Sequence, residues 1–134
     1  MLRLDRTAAE PWLAMAEADL AVTRLVLERQ DATSEMLGLA CFHSQQAAEK
    51  AIKAVLMALD LPAPRTHDVG LLAQNVPVVL NMPMAVLAAC EALSDFGVGP
   101  RYPLPGRLVV RVVAERAAVD GLTVCRWVNT IIGT

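Results

Sequence analysis

Four side chains in one short stretch have the types and the spacing to do chemistry together. His43, Gln46, Lys50 and Lys53 lie in the run CFHSQQAAEKAIKA, residues 41–54. They stand three or four residues apart, with Ala47 among them, so on a helix they are neighbours along one side. An imidazole that changes charge near neutrality can serve as a general base or as a cation facing phosphate. Beside it, two ammonium groups and an amide offer donors to a single anionic group. The same residues equally fit a histidine making one structural hydrogen bond and two lysines on a solvated face.

Other positions bear on this stripe. Asp19 projects between Trp12 and Val26, inside an apolar arc, so it must reach a polar partner; an ion pair or hydrogen bond to a neighbouring helix is preferred to a catalytic carboxylate. Arg101 and Tyr102, the chain's single tyrosine, stand in GVGPRYPLPG, residues 97–106. A loop this rich in proline and glycine can hold a guanidinium and a phenol in place, either to bind a carboxylate or phosphate or to lock the loop against the second helix. His67, between Thr66 and Asp68, is placed to fold back on a helix start, a structural role. Asp19, His43, Gln46, Lys50, Lys53, Arg101 and Tyr102 are the candidate ligand-binding residues, and no residue is assigned a catalytic role.

The elements that position them follow from periodicity and breakers. Pro11 suits a helix first turn, and an amphipathic helix is predicted over 11–30, with Leu13, Ala16, Leu20, Thr23 and Leu27 buried and Glu10, Glu17, Arg24 and Glu28 facing solvent. A turn at 31–34 ends in a cap candidate, and a second helix over 35–60 buries Cys41, Gln45, Ala48, Ile52, Val55, Leu56 and Leu59. Pro62 and Pro64 break it. Thr66 reads as the N-cap of a short helix over 67–75, a fourth helix covers 84–96, and 97–106 is a loop. The last segment, 107–129, begins with β-branched residues, but its length and the spacing of Arg107, Arg111 and Glu115 favour a helix over strands. The expected architecture is all-α: an up-and-down bundle of four or five helices in a single domain spanning 1–134.

Composition narrows the function. A chain of 134 residues is long enough to bury a core without staples. Its 55% hydrophobic and 4% aromatic content makes that core aliphatic and raises the expectation of a buried subunit interface. A net charge of −2 argues against a strongly basic nucleic-acid binder and leaves room only for a small basic patch. Cys41, Cys90 and Cys125 follow no metal spacing and read as reduced core thiols, which points to the cytoplasm. The uncharged stretch 69–90 is interrupted by Gly70, Gln74, Asn75, Pro77, Asn81 and Pro83, so no membrane helix is expected. No secretory signal, phosphate-binding glycine loop, nucleophile elbow or metal-ligand pattern is found, and neither a metal nor a cofactor is expected.

The residues that carry a family likeness are Ala18-Asp19-Leu20, the run at 41–54, Thr66-His67-Asp68-Val69 and Arg101-Tyr102-Pro103. Together they resemble the HEPN domain family over almost the whole chain. The resemblance implies a helical bundle, a homodimer, and a prokaryotic setting in which such proteins are often encoded beside a minimal nucleotidyltransferase, as in toxin–antitoxin pairs. It also implies one of two activities: a metal-independent ribonuclease, or a subunit that binds a nucleotide, RNA or a partner. The ribonuclease motif is an arginine followed, after four to six intervening residues, by a histidine. After Arg101 the required positions hold Gly106, Arg107 and Leu108; before His43 they hold Met36, Leu37 and Gly38; before His67 they hold Asp60, Leu61 and Pro62. The expectation is therefore a binding subunit, with a divergent ribonuclease as the alternative.

Overall fold

The computed structural model describes residues 3–97 and 108–133. Among them the regular elements are all helical: α1 (Arg6–Leu27), α2 (Ser34–Ala58), α3 (Val69–Ala73), a 3-10 turn (Val78–Leu80), α4 (Met84–Gly97) and α5 (Arg111–Ile132). The expected loop at 97–106, with Arg101 and Tyr102, lies outside the described residues apart from Gly97.

The ends of the helices are set by local hydrogen bonds that periodicity does not report. Asp5 accepts from the Ala8 amide and starts α1 five residues before Pro11, so Pro11 lies inside the helix instead of opening it. The ring removes one backbone donor, and because Thr7 and Pro11 are exposed the orphaned carbonyl faces water. At the other end α1 stops at Leu27, short of residue 30, where the Arg111 guanidinium donates to the carbonyls of Leu27 and Arg29. A cation on the last carbonyls also complements the helix dipole.

Thr33 caps α2 through the Met36 amide. For α3 the cap is Asp68, which accepts from Leu71, while Thr66 instead accepts from the Asp68 amide one step earlier. The short helix therefore begins at Val69, later than its predicted start. The β-branched run before α5 is divided: Leu108 to Val110 lies outside the helix, pinned where the Ser34 hydroxyl meets both the amide (2.6 Å) and the carbonyl (3.2 Å) of Val109. Helix follows from Arg111 onward.

α2 is the hub. Of its 25 residues 15 are buried, against four of 22 in α1, because it packs on α1, α3, α4 and α5. Ile52, Val55 and Leu56 fill the core with Leu72, Leu93, Val124, Val128 and Ile132. Small residues let the helices approach: Ala47, Ala48, Ala51 and Ala54 are fully buried. At Gly121 a Cβ would lie 3.0 Å from the Ser44 carbonyl oxygen, so α5 meets the backbone of α2 at that point. No helix among the described residues is long and apolar enough to cross a membrane.

Candidate functional site

The polar stripe of α2 faces α1 and the segment that leads into α3. Helical spacing sets His43, Gln46, Lys50 and Lys53 along the outer edge of the hub helix, where each keeps partial contact with solvent. Ala47, expected in the same stripe, belongs instead to the packed side and is fully buried, its carbonyl 3.7 Å from the Cys125 thiol.

Asp19 crosses from α1 and organises the first half of the seam. Its side chain is 9% exposed; Oδ1 stands 2.7 Å from Nδ1 of His43 and Oδ2 stands 2.7 Å from Nζ of Lys50. The expected ion pair to a neighbouring helix is formed, and its two partners are the lysine and the histidine of the stripe. Phe42 sets its ring edge-on to the imidazole, 5.6 Å between centroids. Behind Asp19 the Thr23 hydroxyl donates to the Ala40 carbonyl and meets the Ser44 hydroxyl, a small polar layer that ties α1 to α2.

A second carboxylate, Glu49, organises the other half. Its side chain is 4% exposed, with Oε2 3.1 Å from Nζ of Lys53 and Oε1 3.0 Å from Nδ1 of His67. Gln45 holds the same segment in place by donating Nε2 to the His67 carbonyl at 2.6 Å, and Gln46 donates to Gln45 Oε1. Lys53 also sits over the Trp12 indole, 5.7 Å from the ring centre, which joins this half of the seam back to α1. Among the described residues no buried side-chain polar atom is left without a partner.

The structure thus brings together Asp19, His43, Gln46, Lys50 and Lys53. Sequence reasoning did not single out Glu49, and assigned His67 a structural role only. Glu49 had a readable signal, because it projects at the edge of the buried arc, between Ile52 and Lys53, as a charge inside a packed face, the same sign that exposed Asp19. That His67 would be its partner depends on how residues 59–68 fold back over α2, which no local pattern states.

In chemical terms the seam offers ammonium and amide donors and two imidazoles, each with Nδ1 facing a carboxylate and with no hydrogen bond at Nε2 among the described residues. The thiols offer none of this chemistry. Burial pushes Cys90 and Cys125 up to about 12 and keeps them protonated and unreactive. Among the described residues no group of three or more His, Cys, Asp or Glu side chains is placed to hold a metal ion.

Comparison with known proteins agrees with this architecture. The sequence matches the model of the HEPN domain over residues 9–130. Among solved structures it is similar to ST0689, an archaeal HEPN homologue, with 28% identity and a TM-score of 0.74 over 92% of this chain and 97% of that one. It is also similar to TT1696 from Thermus thermophilus, with 26% identity and a TM-score of 0.76 over 91% and 96% of the two chains. No curated protein matches it.

Proposed function

The chain belongs to the HEPN domain family, and on that premise we propose that it is a binding subunit whose α1–α2 seam recognises a nucleotide. In this reading it acts as a cytoplasmic homodimer and partners a minimal nucleotidyltransferase, in the manner of a toxin–antitoxin pair. The observation that carries the reading is Asp19 clasping His43 and Lys50 at 2.7 Å each. A buried carboxylate between helices loses its hydration, and apolar residues of similar volume would usually pack the seam at least as stably. A charged cluster kept there, with lysine and imidazole donors at its outer edge, makes sense as a surface that meets a polar ligand. The absence of an arginine at the required distance before either histidine supports binding over cleavage.

Calorimetric titration with ATP, other nucleotides and short RNA tests the proposal. Binding of a nucleotide that weakens roughly tenfold to hundredfold in Lys50→Ala, the loss expected for one charge-assisted hydrogen bond, supports it. No heat with any of these ligands, and no nucleotidyltransferase recovered with the protein, would falsify it.

One observation favours a second reading, a divergent ribonuclease. The Asp19 carboxylate on Nδ1 of His43 is the arrangement that leaves Nε2 ready to take a proton, as in carboxylate–histidine pairs of hydrolases. RNA cleavage that survives a chelator and disappears in His43→Ala would establish this reading in place of the first.

A further inference from the structure

The connector between α3 and α4 displays large apolar side chains to solvent. Val78 is 90% exposed, Met84 87% and Val79 67%, and Leu71 of α3 is half exposed. No Asp, Glu, Lys, Arg or His occurs between Val69 and Cys90, so the connector contributes no charged side chain to this surface. Four side chains open to this degree present on the order of 500 Å² of apolar surface, near the upper end of what a monomer leaves in one patch.

The exposure is built in, because the segment is held by its own main chain. The amide of Val76 donates to the Ala73 carbonyl, Leu80 to Pro77 and Asn81 to Val78, and Val86 and Leu87 both donate to Pro83. Asn81 takes the left-handed conformation at φ 52°, which asparagine adopts more readily than most residues. Between these turns Val76 and Val86 are buried, and Leu80 and Met82 pack against the core. With those four side chains anchored inward, Val78, Val79 and Met84 are directed outward.

Other exposed apolar residues alternate with charge. Leu25 of α1 follows Arg24 and stands three residues before Glu28, and Val112 and Val119 of α5 flank Glu115 and Arg116. Burying those faces would strip water from the charges beside them. The connector escapes that cost when its cover is uncharged too, and the same connector on a second copy meets the condition. A two-fold axis sets one patch against itself. With the exposed amides of Gln74, Asn75 and Asn81 around it, the patch approaches about 800 Å², the share of one partner in a standard interface. Depleted charge and a central methionine are what interface cores favour. Resting on the homodimer of the binding-subunit reading, we propose that two copies pair through the α3–α4 connector, with Val78, Val79 and Met84 of each packed against those of the other.

Analytical ultracentrifugation of the full chain between about 1 and about 100 µM tests the surface. The protein is expected to be dimeric, and Val78→Glu combined with Met84→Glu should weaken the dimer at least roughly hundredfold, since four carboxylates would then meet in an apolar interface. Both side chains are open in the single chain, so helical content by circular dichroism should not change. Val78→Ser combined with Met84→Gln, which adds no charge, should weaken the dimer roughly tenfold through lost apolar contact alone. Leu25→Glu, outside the connector, should leave the dimer intact. A dimer that survives both double variants, or that is lost in Leu25→Glu, overturns the connector as the interface and leaves the homodimer standing. A wild-type chain that stays monomeric at every concentration overturns both, and leaves the connector to a partner of another kind.

Discussion

Asp19 and Glu49 carry the seam because each satisfies two cationic or proton-bearing partners from a position closed to solvent. Removing one member of such a cluster costs more than the cluster contributes, since the remaining charges stay behind in the packing. Asp19→Ala should therefore destabilise the fold by about 3 kcal/mol, the low end for a buried pair because Lys50 and His43 retain some water. Urea unfolding measures it, and Asp19→Ala combined with Lys50→Met should lose less than Asp19→Ala alone. The two thiols give a prediction in pH. Burial raises Cys90 and Cys125 from 9.0 in an open chain to about 12 in the fold. The unfolded chain releases these protons first, so their contribution is complete below about pH 9 and is lost as pH rises toward about 12. Unfolding between pH 8 and 11 should show this contribution level up to about pH 9 and then falling by on the order of 1 kcal/mol per pH unit for each thiol, less in Cys90→Ala. At this scale the sequence was informative about individual residues. Asp19 stood out as a charge in an apolar arc, and the cysteines as core thiols, while the pairing of Glu49 with His67 depended on a chain reversal that residue types do not encode.

At the scale of elements, α2 was legible as the hub because its apolar arc is broad and its prolines come only after Leu59, so nothing interrupts it. The ends were less so. The start of α1 rests on the Asp5 side chain, and that of α5 on the Ser34 hydroxyl held by Val109, bonds that override a proline in one case and a β-branched run in the other. The α2–α5 contact is set by the absence of one side chain. Gly121→Ala gains about 1 kcal/mol of helix propensity, but its Cβ would press on the Ser44 carbonyl at 3.0 Å. Overpacking against backbone costs about 1 to 3 kcal/mol, so the substitution should lower Tm by a few degrees in a thermal melt. A rise in Tm would mean that α5 moves aside without loss.

For the molecule as a whole, the bundle packs α2 against α1, α3, α4 and α5 and leaves the edge carrying His43, Gln46, Lys50 and Lys53 in partial contact with solvent. That division was readable from the two stripes of residues 41–54, and the family follows from the match over 9–130. What the stripes did not disclose is that the polar edge is internally charge-balanced, since its carboxylates come partly from another helix and one histidine from a loop. Under the proposed nucleotide reading, the ligand meets the imidazoles as well as the lysines. The measurement that tests this most directly is the imidazole proton and carbon signals of His43 and His67 during titration with ADP, assigned with His43→Gln and His67→Gln. Both sets of signals should move together and saturate with the same Kd. Signals that stay in place while ADP binds would put the site elsewhere on the protein and contradict the account.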